Sequence, residues 1–132
     1  MNAELRESLY DLYEIGGLEL LGQGSGGSRR ELLLDLETSA LTPEKGDIVR
    51  FFAQNRWACD EVFDEWVKPP RPLSLEAERI IGTTNDRLAH CRPMHVALAD
   101  FLDFIDGAEL IGDRLDFDLA FLKAASSSDG FQ

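Results

Sequence analysis

An α/β fold with a mixed sheet is the architecture this sequence predicts, on three observations. Three β-forming runs, at residues 30–36, 47–54 and 57–67, follow one another with short links, as in an antiparallel meander. An apolar run with helical spacing comes next, at residues 94–105. A short apolar strand and a second helix then close the pattern, which adds a parallel strand and flanking helices to the meander.

Composition bounds the problem. The 132 residues are enough for one compact domain with one core, and 44% hydrophobic content fits a globular chain. The 25 acidic and 13 basic residues leave a net charge of −12, which disfavours bulk, non-specific phosphate binding. It leaves open a nucleic-acid enzyme whose metals neutralise a local acidic site. Two cysteines, Cys59 and Cys91, build no disulfide framework and read as reduced thiols. No stretch has the length of a membrane span, and the acidic start does not suit a signal or transit peptide. A cytoplasmic protein without membrane contact is therefore expected.

In chain order, Leu5, Leu9, Leu12 and Tyr13 share one face of a predicted helix over residues 3–14. Residues 15–28 are rich in glycine and serine and read as a linker, so residues 1–28 form one unit. Gly22, Gly24 and Gly27 match a nucleotide-loop spacing but precede a strand instead of following one. The domain proper is expected over residues 29–125. Its first strand covers 30–36, its second 47–54. Asn55 and Arg56 make a tight connection to a third strand over 57–67, with Val62, Trp66 and Val67 available for packing. The prolines at 69, 70 and 72 stop the meander. Ser74 caps a short helix that Gly82 ends. Residues 83–93 are a polar connection. Met94, Leu98, Phe101, Leu102 and Ile105 then mark the clearest helix. Residues 108–112 form a strand and 116–125 a helix, with Asp116 and Asp118 in its first turn. Residues 126–132 read as a disordered tail.

The chemistry concentrates at residues 32–39, LLLDLETS. Alternation along a strand places Asp35 and Glu37 on one face and Leu34 and Leu36 on the other. Paired carboxylates suit a hard divalent cation. A solvated strand end suits the same tripeptide. His90, Cys91 and His95 lack the second ligand pair of a zinc site. The acidic stretch at 60–65 reads as a solvated strand face, Arg29 and Arg30 as a solvated linker end, and Trp57 and Trp66 as core or sheet-surface residues.

Three blocks decide between the readings of Asp35 and Glu37. They are Asp35-Leu36-Glu37-Thr38 with Gly46-Asp47-Ile48-Val49; Arg71-Pro72-Leu73-Ser74 with residues 80–88; and residues 100–105 with Leu110-Ile111-Gly112 and residues 117–122. In this order they resemble the DEDD (DnaQ-like) 3′–5′ exonucleases of ribonuclease-H-like fold, in particular the proofreading domains and epsilon subunits of bacterial replicative DNA polymerases. The resemblance covers about residues 31–123. It implies two divalent metals, Mg²⁺ or Mn²⁺, held by Asp35, Glu37 and Asp118 together with a fourth acid. It implies that Thr38, Ser39, Ala40, Leu41 and Phe117 meet the nucleotide. Its substrate class is single-stranded DNA or RNA 3′ ends.

The departures are specific. Asp113 and Arg114 stand where the family has His-Asn, Ala40 where it has glycine, and Arg50 where it often has glutamate. The third motif, a histidine five residues before a fourth aspartate, is missing after Leu122. His95 and Asp100 have that spacing but lie before the second motif, so the match is coincidental. A C-terminally truncated exonuclease domain of weak or no activity is the expectation. Its partners would be a DNA polymerase subunit or a second chain that completes the fold. The alternative is a catalytically degenerate exonuclease-like binding or scaffold module.

Overall fold

The computed structural model describes residues 30–127. The expected helix at 3–14, the linker, Arg29 and residues 128–132 lie outside this range. Five strands form one sheet: β1 (Glu31–Leu34), β2 (Glu37–Thr38), β3 (Ile48–Asn55), β4 (Val62–Trp66) and β5 (Glu109–Ile111). Four helices accompany them: α1 (Leu75–Ile81), α2 (Asn85–Leu88), α3 (Met94–Ile105) and α4 (Leu115–Ser126). The fold is the expected mixed α/β arrangement of ribonuclease-H-like kind, with an antiparallel meander, one parallel strand and flanking helices.

β1 and β2 are two parts of one extended segment. Leu34 pairs with Ala53 and Glu37 with Arg50, both on the flank of β3 opposite β4. Between them the Asp35 N–H donates to the Phe52 carbonyl at 3.0 Å. The register slips between Glu37 and Thr38, a bulge that re-aims the chain. β5 lies parallel to β1 on its other flank, with Leu33 opposite Ile111.

The run of leucines is explained by burial on both faces. Leu32, Leu34 and Leu36 join Phe51, Ala53, Phe101, Phe121 and Leu122 in the main core under α3 and α4. Val49 packs with Leu73, Ala77 and Leu88 in a second cluster. Phe101 is fully buried, its ring centroid 4.8 Å from that of Phe51 and 5.1 Å from that of Phe63. Burial of such a side chain contributes roughly 1.5–3 kcal/mol.

Several expectations need correction. The third strand does not begin at Trp57. The Asn55 carboxamide oxygen accepts the N–H groups of Trp57 and Ala58, so the chain turns until Val62. Trp57 is 67% exposed and Val62 faces outward, while Phe63 takes the packing position. Residues 83–93 contain α2, capped by Thr84, whose hydroxyl accepts from the Arg87 N–H. Three carboxylates of the acidic stretch are paired: Glu61 with Arg30, Asp64 with Arg50, and Glu65 with Arg92. Arg30 also donates to the Phe104 carbonyl, so it is a tether and not a solvated end. Other expectations hold. Ser74 caps α1 and Gly82 ends it at φ 86°. The apolar face of α3 lies where its spacing places it.

Candidate active site

The geometry of β1 sets the site. Successive N–H groups of a strand point to opposite flanks. β3 takes the Asp35 N–H. The Leu36 N–H therefore points toward the β5 flank, beyond the last β1–β5 pair at Leu33 and Ile111. There the Asp118 carboxylate of α4 comes close enough for the Leu36 backbone amide to favour its charged form. Gly112 permits this approach. A Cβ at that position would stand 3.0 Å from the Leu34 carbonyl oxygen, so the chain leaves β5 hard against β1.

Asp118 is 3% exposed. Burial pushes its carboxyl up to about 7, and the nearby Asp35 and Glu37 carboxylates push the same way. The Leu36 hydrogen bond and the Arg114 guanidinium oppose them. Burial also raises Glu37 above the usual carboxylate range, with Asp35 adding to the effect and Arg50 opposing it. Asp35 and Glu37 are half-buried, while Leu34 and Leu36 enter the core behind them. The fold thus brings Asp35, Glu37 and Asp118 within electrostatic reach of one another.

Two guanidinium groups border these acids. Arg50 is the cross-strand partner of Glu37, with Nη1 3.7 Å from Oε2. Asp64 grips it from the other side through two hydrogen bonds of 2.7 and 2.8 Å. It also lies over Phe52 and Trp66, 5.6 and 5.2 Å from the ring centroids. Arg114 stacks on Phe117 at 3.8 Å, and Phe117 meets Phe121 at 5.0 Å.

The loop after β2 is internally bonded. The Thr38 hydroxyl donates to the Ala40 carbonyl at 2.9 Å, and the Ser39 hydroxyl accepts the Asp47 N–H at 2.8 Å. Gly46 packs so tightly here that an added Cβ would fall 2.5 Å from that of Ala40. Arg71 closes the loop by bonding Asp47 and the carbonyls of Glu44 and Gly46. Leu41, at the loop surface, is 77% exposed. Asp100 pairs with Arg92 at 2.8 Å, away from this site. Arg50, Arg71 and Arg114 have site positions that were not assigned from the sequence. Each depends on a register or loop closure that residue spacing does not display.

As donors, three carboxylates fit a hard divalent cation in kind, since their mutual repulsion is what such an ion relieves. They do not fit it in spacing. Among the described residues no group of three or more His, Cys, Asp or Glu side chains stands close enough together to hold a metal ion.

Comparison with known proteins adds a direction. No family model matches the chain. The chain is 26% identical over 95 residues to a DNA polymerase III PolC-type of Streptococcus pneumoniae serotype 2. It is 28% identical to that of Streptococcus thermophilus (strain LMD-9) and 27% identical to that of Streptococcus agalactiae serotype III. Each match takes in 70% of this chain and 6% of the polymerase. The similarity is weak but consistent across these polymerases. Among the described residues no helix is long and apolar enough to cross a membrane.

Proposed function

We propose that this chain carries part of a divalent-metal-dependent 3′–5′ exonuclease domain acting on single-stranded DNA or RNA 3′ ends. The observation that carries the proposal is the meeting of Asp35, Glu37 and Asp118, drawn from the two ends of the described chain into one electrostatic field. Burial and the Asp35 and Glu37 charges make ionisation of Asp118 unfavourable, which a nearby cation would relieve. The reading assigns a divalent ion, Mg²⁺ or Mn²⁺, to Asp35, Glu37 and Asp118, whose side chains would have to close up to hold it. In this reading the chain's own contribution would be positioning: Thr38, Ser39, Ala40 and Leu41 after β2, and Phe117 on α4, would meet the nucleotide. A DNA polymerase subunit, or a second chain that completes the fold, is the partner this reading implies, in a replication-proofreading setting. The reading implies a cytoplasmic setting.

No histidine base is assigned to the site, and such a loss costs ~10²–10⁴ in rate. Activity is therefore expected to be weak. The assay is degradation of 3′-labelled single-stranded DNA with Mg²⁺ or Mn²⁺. Stepwise shortening that disappears in Asp35→Ala supports the reading. Arg50 and the spacing of the acids favour a second reading, a degenerate module that binds 3′ ends without cutting. It predicts no shortening but a measurable affinity for a fluorescent single strand.

A further inference from the structure

The arginine between Glu37 and Asp64 has a consequence for the site that rests on the exonuclease-type reading above. We propose that Arg50 is a built-in counter-ion: its guanidinium occupies the electrostatic position beside Glu37 and Asp35 and thereby weakens the site's affinity for divalent cations.

Three features show that this is a held charge and not a passing surface contact. The register puts Arg50 directly across the ladder from Glu37, so its backbone cannot drift away. The two-pronged bond to Asp64 fixes the guanidinium plane, a geometry that lysine cannot reproduce. Phe52 and Trp66 flank it, and its side chain is 16% exposed. A charge fixed in this way opposes an incoming dication directly. It also neutralises part of the field that would draw the ion in. Glu37 carries the consequence within the protein, because Arg50 offsets part of the repulsion it feels from Asp35. The site as folded is thus already partly charge-compensated.

The 3.7 Å separation from Glu37 is longer than the bonds to Asp64. The guanidinium is therefore anchored on Asp64 and leans on Glu37. This division predicts that charge, more than direct contact with Glu37, suppresses metal binding.

The test is Mn²⁺ binding to the full 132-residue chain by isothermal titration calorimetry, with no nucleic acid present. Arg50→Met removes the charge and keeps an apolar stem between Phe52 and Trp66. It should bind Mn²⁺ roughly tenfold tighter or more, the scale expected for removing one fixed charge near a dication. Arg50→Lys keeps the charge and should stay within about threefold of the original chain. Arg50→Gln can still bond Asp64 and serves if Arg50→Met does not fold; it too should bind tighter. Asp35→Asn added to Arg50→Met should abolish the gain. Unchanged affinity in folded Arg50→Met or Arg50→Gln overturns the inference. So does a gain that survives Asp35→Asn. If the original chain shortens labelled DNA while Arg50→Met gains nothing, the exonuclease reading stands and this inference falls. Absence of Mn²⁺ binding in every variant overturns both.

Discussion

The carboxylate of Asp118 is buried within electrostatic reach of that of Asp35; burial lifts its pKa to about 7, and the Asp35 charge adds to the rise. This pairing couples the start of α4 to the β1–β2 segment. It sets both the electrostatics of the site and a dependence of stability on pH.

The sign of that dependence follows from the two states. Unfolded, an aspartate titrates near 3.8; folded, Asp118 titrates at about 7. Between these values the native state keeps a proton that the unfolded state has released. The contribution is therefore fully present below about pH 4, declines as pH rises to 7, and is level above that. The difference amounts to ~4 kcal/mol at most. Asp118→Asn should remove it. Thermal melts at pH 5 and pH 8 should show the variant gaining on the original chain as pH rises. A pH-independent difference in Tm would refute the assignment.

Two glycines should respond unequally to a methyl group. At Gly46 a Cβ would meet Ala40 Cβ at 2.5 Å and the Ser39 hydroxyl at 2.7 Å. At Gly112 the nearest atom is the Leu34 carbonyl oxygen at 3.0 Å. Overpacking typically costs ~1–3 kcal/mol. Urea titrations should place Gly46→Ala at or above the top of that range and Gly112→Ala near the bottom. Equal midpoints for the two variants would contradict the packing described.

Helix α4 supplies a third contrast. Phe121 is 2% exposed and Leu119 is 37% exposed. Phe121→Ala should cost ~3–5 kcal/mol. Leu119→Ala should stay within ~0.5 kcal/mol. Guanidinium unfolding decides the matter, and a larger loss at Leu119 would mean that α4 presents a different face to the sheet.

Asn85 gives the fourth. Its side chain accepts the Leu73 N–H at 2.8 Å and donates to the Leu73 carbonyl at 2.9 Å, tying the proline-rich segment to α2. Asn85→Ala leaves both backbone groups without that partner, at ~1–3 kcal/mol. Amide exchange at Leu73 should accelerate in the variant. Protection equal to that of the original chain would show that the clamp is dispensable.

What was legible in the sequence followed from local rules. Alternation separated Asp35 and Glu37 from Leu34 and Leu36. Helical spacing found α3, and the Ser74 and Gly82 caps bounded α1. What was not legible involved partners distant in the chain. The Asn55 side chain extended a turn that looked like two residues. The face of α4 that meets the sheet carries Phe121 and Leu122, with Leu119 turned outward. The acids at 61, 64 and 65 looked solvated because their arginine partners come from elsewhere in the chain.

By itself, the sequence determined the order of strands and helices, α2 excepted, and the presence of two carboxylates on one strand face, because period and capping act over a few residues. Only the tertiary structure decided which charges share the site. Asp118 comes within reach of the Asp35 charge because β5, which leads into α4, lies parallel to β1. Arg50 reaches Glu37 because the antiparallel register places it there. Both outcomes are properties of strand pairing, in which a shift of one residue turns a side chain to the other face.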